Sequence, residues 1–326
     1  MNALAHGALY GTVIILTVLT TVAMGVWFER KFAGRMQSRL GPTIVGPVGL
    51  LQSVADVVKL LNKEDIIPRD ADRGLFILAP VLAAMLSLGA AAVVPFSATA
   101  IASDLDIGVI WVVALGGLTV FSTFAAGWGS NNKFALLGGM RGIAQSVSYG
   151  VPLVLSVLVP VILAGSMSLS GIVAWQTSHH WFALWPVIPG LPAFVLFFMA
   201  LLAESNRIPF DIPEAESELV AGITTEYTGA RFVLFYMAEY VHTLVGSAVA
   251  SALFLGGWDG PIAPGLHWMV AKTLALFVAV YWVRWSLLRY RSDQLMDLCW
   301  KRLTPLGVVL VLIAAAWALF VSGGPS

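Results

Sequence analysis

Carboxylates gather in the segment around residues 203–240, within and between two of the most apolar runs of the chain. They are Glu204, Asp211, Glu214, Glu216, Glu218, Glu226 and Glu239. A charged side chain at the centre of a bilayer costs about 3 kcal/mol on insertion scales, so carboxylates at membrane depth are candidates for function. Because a carboxylate takes up and releases protons and attracts cations, this cluster indicates the movement of protons or cations.

Two of these acids also have a structural interpretation. Asp211 followed three residues later by Glu214, with Pro213 between them, is typical of a helix N-terminus with a capping box. On a helix that begins there, Glu214 and Glu218 would share one face and Glu216 would point elsewhere. Like charges four residues apart repel each other, so we expect raised and coupled proton affinities in this cluster.

Glu204 and Glu239 bracket this acidic loop at membrane depth. Glu204 ends the fifth apolar run, and Glu239 lies about two turns into the sixth. We predict a proton-handling role for Glu239; the alternative is a buried carboxylate that only accepts hydrogen bonds.

The composition defines the elements that must position these acids. The chain has 326 residues, of which 59% are hydrophobic and 11% charged, whereas a soluble protein has about 25% charged residues. We therefore predict an all-α polytopic membrane protein, a single membrane domain over residues 1–326. Its eight predicted spans lie near 8–28, 74–95, 108–129, 145–165, 187–206, 232–255, 268–288 and 304–322. The first run lacks a basic n-region and a cleavage site, so we interpret it as a retained span.

The basic residues predict the orientation. Alternate loops hold eight, two, two and five of the 18 Lys and Arg residues, which makes 17, and Lys272 alone lies towards the other side. Since cytoplasmic loops carry the excess of Lys and Arg, both termini should face away from the cytoplasm. The acidic loop should face the cytoplasm.

The remaining reactive residue types are sparse. One cysteine, Cys299, excludes an intrachain disulfide and an iron–sulfur cluster ligated by the thiolates of this chain alone. The adjacent His179 and His180 would diverge on a helix, which favours a structural or interfacial role over a shared metal. No glycine-rich phosphate loop follows a strand, so no nucleotide site is indicated.

The first cytoplasmic loop contains a second patterned segment. Between Val48 and Lys63 the polar residues Gln52, Asp56 and Lys59 recur at spacings of four and three, with apolar residues on the other side. This pattern predicts an amphipathic helix that lies at the membrane interface. The helix could be a membrane-surface brace, or it could wall an opening through which an amphiphile enters from the bilayer.

Upstream of this helix, Arg30, Arg35 and Arg39 supply cations and donors that could hold a polar head group. The alternative is that each arginine stands beside a span only because cytoplasmic loops are basic.

Several motifs, in order along nearly the whole chain, resemble the H-subunit family of bacterial NADH:quinone oxidoreductase, the counterparts of mitochondrial subunit 1 of respiratory complex I. They are Glu29-Arg30-Lys31, Arg39-Leu40-Gly41-Pro42, Lys63-Glu64-Asp65-Ile66-Ile67-Pro68, Ala203-Glu204-Ser205-Asn206-Arg207, the run from Pro209 to Gly222, Thr225-Glu226-Tyr227, Met237-Ala238-Glu239-Tyr240 and Asp293-Gln294-Leu295-Met296.

The resemblance implies a bundle of eight transmembrane helices that docks a peripheral redox arm onto a membrane arm in the bacterial inner membrane. Its chamber loops would be 29–73 and 207–231. The implied quinone-chamber residues are Arg30, Arg35, Gln37, Arg39, Arg207, Phe210, Asp211, Arg289 and Arg291. The implied proton-coupling acids are Glu204, Glu214, Glu216, Glu218, Glu226 and Glu239.

By the same resemblance, the chain would be active only within the complex and would bind no flavin, iron–sulfur cluster or metal itself. Quinone would be a substrate at its interface with partner subunits. The implied partners are the peripheral quinone-site and iron–sulfur subunits, the small membrane subunits and the antiporter-like subunits. Quinone reduction would create transient negative charge that raises the proton affinity of nearby carboxylates.

One departure from the family pattern concerns the acidic path. Many members have a glutamate after the Ser-Tyr of the fourth helix, where this chain has Gly150. Three alternatives stay open: the related membrane subunit of an energy-converting hydrogenase or another reduced-cofactor dehydrogenase, a stand-alone transporter, and a purely structural anchor. A transporter should show internal repeats, and the sequence has no convincing one.

Overall fold

Every regular element in the part of the chain that the structure describes is helical. The computed structural model describes residues 3–98, 100–179, 190–261 and 263–321, and their side chains other than those of residues 3–10, 216 and 321. The α-helices are, in chain order, α1 (Ala3–Met36), α2 (Gln52–Leu61), α3 (Arg73–Ala91), α4 (Gly108–Gly129), α5 (Lys133–Ala164), α6 (Leu169–Ser178), α7 (Gly190–Glu204), α8 (Glu216–Leu219), α9 (Gly229–Phe254), α10 (Leu266–Ser286), α11 (Ser292–Leu298) and α12 (Thr304–Val321).

Seven helical segments of the described residues are long and apolar enough to cross a bilayer, and they correspond to seven of the eight predicted spans. The third agrees at both ends, whereas α1 and α5 extend beyond their predicted limits. A π-helical turn, Cys299–Leu303, joins α11 to α12. The prediction of an all-helical polytopic membrane protein is therefore confirmed.

The fifth predicted span, 187–206, corresponds to α7, and its first three residues lie outside the described residues. The 15 residues of α7 are about 22 Å long, less than the ~30 Å hydrocarbon core of a bilayer. One side of α7 is nevertheless buried in the bundle, as Leu196 and Leu201 illustrate. The count of eight spans stays a prediction.

The helices pack through small residues and expose large apolar ones. Gly127 on α4 lies so close to α5 that a Cβ there would approach the Ala135 carbonyl oxygen to 2.7 Å, the close approach that small residues permit in membranes. On the outside, Met85, Phe121 and Trp282 are 63–64% exposed. Such a surface suits a hydrocarbon solvent, because lipid tails are as apolar as these side chains.

The packing order places α9 at the centre of the candidate site. Helix α9 packs against α1, α2, α3, α6, α7 and α10. Helix α5 packs against α4, α7 and α12. Residues from α7, α9 and the acidic loop therefore meet inside the bundle.

The first loop is shorter than predicted, since residues 29–36 continue helix α1. The predicted amphipathic segment begins with a short 3₁₀ turn at Pro47–Gly49 and continues as α2. Its place at a membrane interface stays a prediction.

The predicted helix N-terminus at Asp211 and Glu214 is wrong. Residues 211–214 form turns, and the short helix α8 begins only after Ala215, which has φ 29° and provides no side-chain cap. The reason is tertiary: the Pro213 carbonyl oxygen packs so closely on Gly222 that a Cβ there would lie 1.8 Å away. This contact holds the segment against the core instead of in a helix.

Candidate functional site

The candidate site is built around a buried ion pair between Arg207 and Glu239. Arg207, just beyond the end of α7, is 1% exposed, and its Nε lies 3.4 Å from Glu239 Oε1 on α9. The guanidinium also lies over the Tyr240 ring, 4.3 Å from its centroid. A buried charge without a partner is strongly destabilising, so Arg207 and Glu239 depend on each other.

Tyr240 connects this ion pair to helices α1 and α10 through Glu29. Its hydroxyl donates a hydrogen bond to Glu29 Oε2 on α1. Glu29 also accepts a hydrogen bond of 2.6 Å from Arg284 Nη1 on α10, and it is 4% exposed. Tyr236 lies within 2.9 Å of the Tyr240 hydroxyl. A continuous series of polar groups therefore joins α1, α9 and α10 beneath the surface.

Helix α2 turns its polar side towards this series. Asp56 forms an ion pair with Arg30 on α1 and accepts a hydrogen bond of 3.0 Å from Gln52. Ser53 donates a hydrogen bond of 2.7 Å to the Ala23 carbonyl oxygen of α1. The opposite side of α2, represented by Val58, is exposed, so the amphipathic helix presents its apolar side to the outside of the bundle.

A small polar cavity joins Glu239 to three other ionisable groups. It has a volume of about 80 Å³ and is lined by Glu204, Glu214, Glu239 and His242 together with serine, threonine and asparagine side chains and four apolar ones. Burial, together with the charges of Glu239 and Asp211, raises the pKa of Glu214 well above its ordinary value. Glu214 is therefore held in an environment that favours its neutral form.

Glu204 forms the second ionisable pair of this cavity. Its Oε1 lies 3.4 Å from His242 Nε2, and the two side chains are 9% and 14% exposed. Glu204 also lines a larger, open cleft of about 510 Å³, together with Tyr149 and Gly150. Nothing lies within 4 Å of the position that a Cβ on Gly150 would take. Glu204 therefore lines both the small cavity and the larger, mostly apolar cleft.

Glu218 lies apart from Glu214, contrary to the prediction that the two share a helical face. Glu218 is exposed and forms ion pairs with Arg141 on α5 and Arg289 after α10. The hydrogen bond from Arg141, together with Arg289, lowers the pKa of Glu218. This difference follows from the turn at Ala215, which separates the two acids.

The other predicted acids occupy separate places. Glu226 accepts a hydrogen bond of 2.5 Å from Asn132, the residue that caps α5. Asp211 is partly buried, and its charge helps to raise the pKa of Glu214. The side chain of Glu216 lies outside the described residues.

The predicted chamber residues fall into a buried group and an exposed group. Phe210 is buried and stacks on Tyr290, with ring centroids 5.7 Å apart. Arg35, Gln37, Arg39 and Arg291 are exposed. The structure brings Arg30 and Arg207 to the polar series and leaves these four at the surface.

Sequence reasoning missed several members of the site. They are Glu29, Asp56, Tyr240, His242 and Arg284 as partners inside the bundle, and Arg141 as a partner of Glu218. One signal was available for His242, which lies three residues after Glu239 and so shares its helical face.

Comparison with known proteins gives a consistent result. The family model described as NADH dehydrogenase matches residues 10–315. The H subunit of the NADH-quinone oxidoreductase of Dehalococcoides mccartyi (strain CBDB1) is 46% identical over 310 residues, covering 95% of this chain and 86% of the relative. The corresponding protein of Geobacillus kaustophilus is 46% identical over 94% of this chain and 93% of its own. That of Brevibacillus brevis is 44% identical over 95% of this chain and 92% of its own. The chain therefore belongs to the NADH dehydrogenase family, in the group that contains the H subunits of NADH-quinone oxidoreductases.

Proposed function

We propose that this chain is the membrane subunit of a proton-pumping NADH:quinone oxidoreductase, respiratory complex I, which walls the quinone-access chamber and carries an acidic proton path. The observation that supports this function most strongly is the series of polar contacts that runs from the partly exposed Asp56–Arg30 pair through Tyr236 and Tyr240 to the buried Arg207–Glu239 pair. In this proposal residues 1–326 form one membrane domain with both termini away from the cytoplasm. The other complex I subunits supply the flavin and the iron–sulfur clusters.

The chamber lies between α1, α2 and α9, bounded by residues 29–73 and 207–231. Helix α2 has the two surfaces that a wall between lipid and a quinone needs: exposed valines outward and Gln52 and Asp56 inward. An amphiphile from the bilayer meets the apolar side first. Its polar head group then finds donors and acceptors at Arg30 and Asp56, which the ion pair holds in place.

The coupling between quinone and the acidic path is electrostatic. A unit of negative charge about 10 Å from a carboxylate, at an effective dielectric constant of about 20, is worth about 1.7 kcal/mol. This equals a pKa shift of about one unit. Glu214 and Glu239 share one buried cavity, so a charge that appears on the reduced quinone changes the protonation of the pair.

The test is to tag the chain at its C-terminus, extract native membranes in mild detergent and identify the co-purifying proteins. We expect flavin and iron–sulfur subunits and inhibitor-sensitive NADH:quinone reduction in the eluate. Recovery of hydrogenase subunits would move the function to the hydrogenase alternative. Recovery of the chain alone, carrying ions in liposomes, would overturn the family-based function.

The acidic path is tested in the same complex with Glu239→Gln and Glu218→Gln, which we expect to impair coupled quinone reduction while assembly is retained. A matched control is Asp297→Asn, since the Asp297 side chain is 63% exposed and forms an ion pair with Lys301, four residues along the same helical segment. Normal coupled turnover in both path variants would refute the proton path. Equal loss in the Asp297→Asn complex would show that the effect is general.

A further inference from the structure

We infer that His242 is a proton-carrying residue that links Glu239 to Glu204, a role that rests on the proposed proton path. The observation behind it is the pairing of its Nε2 with Glu204 Oε1 at 3.4 Å, deep in the bundle. Histidine is the one side chain whose unperturbed titration falls between pH 5 and 8. It therefore supplies, beside Glu204, a group that exchanges protons under working conditions.

The geometry places His242 on the face of α9 that carries Glu239. Residues three apart on a helix have Cβ atoms about 5–6 Å from each other, and both side chains line the 80 Å³ cavity. The volume of about 80 Å³ exceeds the roughly 10–15 Å³ that a cavity needs to hold one water, so this cavity has room for water. One or two waters are enough to bridge the Glu239 carboxyl and the imidazole.

The proton moves from Glu239 to Glu204 in two steps. In the first, the Glu239 carboxylic acid loses its proton through water and the neutral His242 becomes an imidazolium. In the second, the imidazolium loses a proton to the Glu204 carboxylate, so that Glu204 becomes a neutral acid and His242 returns to its neutral form. Glu204 then holds the proton at the larger cleft beside Tyr149 and Gly150.

The charges around His242 favour a cationic carrier over another acid. The ionisable groups that line its cavity are Glu204 at the end of α7, Glu239 on its own helix and Glu214 in the acidic loop. From α3 and α4 the cavity receives serine, threonine and alanine side chains, which carry no charge. Arg207 pairs with Glu239, and Tyr149 of α5 lies near Glu204. A further carboxylate at this point would be repelled by its neighbours, whereas an imidazolium is attracted by them.

The experiment compares the whole complex carrying His242→Gln with wild type, reconstituted in proteoliposomes, and measures the rate of NADH-driven proton translocation from pH 5 to 9. We expect a fall of about 10²-fold, in line with the loss of a positioned proton-transfer group, and loss of the inflection between pH 5 and 8. The control is His267→Gln, because His267 is exposed, and it should keep the wild-type rate and profile. A His242→Gln complex with the wild-type rate and pH profile overturns the inference.

A second measurement keeps His242 in place, so that it does not depend on the folding of a variant. Infrared difference spectra between the oxidised and the NADH-reduced wild-type complex, recorded with and without [¹⁵N]histidine, should contain an imidazole band that moves on labelling. The absence of such a band overturns the inference. Failure of the proposed function itself has a different signature, since the wild-type complex would then lack NADH:quinone reduction.

Discussion

Two adjacent glycines on α4 allow the position of the Glu204 carboxyl to be tested without changing any ionisable group. A Cβ added to Gly116 would lie 2.0 Å from Glu204 Oε1, whereas a Cβ added to Gly117 would meet nothing within 4 Å. An ordinary contact is 3.4 Å or more, so Gly116→Ala displaces the carboxylate oxygen by about 1.4 Å. The group that must move is the end of a flexible side chain, so the backbone can stay in place.

Both substitutions therefore replace glycine by alanine in the same helix, but only Gly116→Ala moves the Glu204 carboxyl. Alanine is favoured over glycine in a helix interior by about 1 kcal/mol, so we expect both variants to assemble. A misplacement of 1 Å can cost about 10²-fold in rate, and the Gly116→Ala displacement changes the position of the Glu204 carboxyl relative to His242. We expect a loss of this order for Gly116→Ala and the wild-type rate for Gly117→Ala.

The assay is NADH-driven proton translocation by the purified complex in proteoliposomes, with subunit content checked by gel. A wild-type rate for Gly116→Ala would show that the position of the Glu204 carboxyl has no role in coupling. Equal impairment of Gly116→Ala and Gly117→Ala would trace the loss to the helix surface instead of the carboxyl. A role for the position of the Glu204 carboxyl is supported only if Gly116→Ala is impaired and Gly117→Ala is not.

Two further predictions follow from the acidic loop and from α2. The pKa of Glu214 is raised in the folded protein by burial and by neighbouring acids. Its bound proton therefore stabilises the fold fully below the ordinary pKa of about 4.3, and this stabilisation is lost as the pH rises through the raised pKa. Glu214→Gln should therefore flatten the decline of Tm with rising pH in the purified complex, and parallel curves would contradict this. Asp56→Asn removes a partly exposed ion pair with Arg30, which is worth up to about 1 kcal/mol. We therefore expect about a fivefold rise in the KM for quinone, with assembly unchanged. An unaltered KM would show that Asp56 is not part of the proposed chamber.

The elements of the fold could be predicted from sequence because a bilayer imposes a simple rule. A span of about 20 apolar residues has few alternatives to a helix, and seven predicted spans correspond to helices of the required length. The ends were less predictable. The continuation of α1 through Arg30 to Met36 is invisible to hydropathy, since a charged residue inside a protein and one in a loop look alike in sequence.

The local sequence pattern failed to predict the backbone where a contact with Gly222, farther along the same loop, decides its conformation. Asp211, Pro213 and Glu214 have the spacing of a capping box, yet the close approach of Pro213 to Gly222 holds the segment in turns. This contact separates Glu214, which lines the cavity, from exposed Glu218. No local rule contains the position of Gly222, so the different environments of the two acids required the tertiary structure.

The pairs Glu204–His242 and Arg207–Glu239 form a quartet in which the acid of each segment pairs with the base of the other. The end of α7 and the residue three beyond it provide an acid and then a base, and α9 provides an acid and then a base on the facing side. With His242 neutral and both acids ionised, the quartet carries a net charge of −1, and one added proton makes it neutral. Since uncompensated buried charge is costly, the quartet takes up one proton more readily than two. Arg207 remains charged throughout, so Glu239 returns to its ion pair once its proton has passed to His242, and the added charge then lies on the His242 half. This difference between the two pairs would allow the quartet to pass one proton at a time from the quinone side to the open cleft.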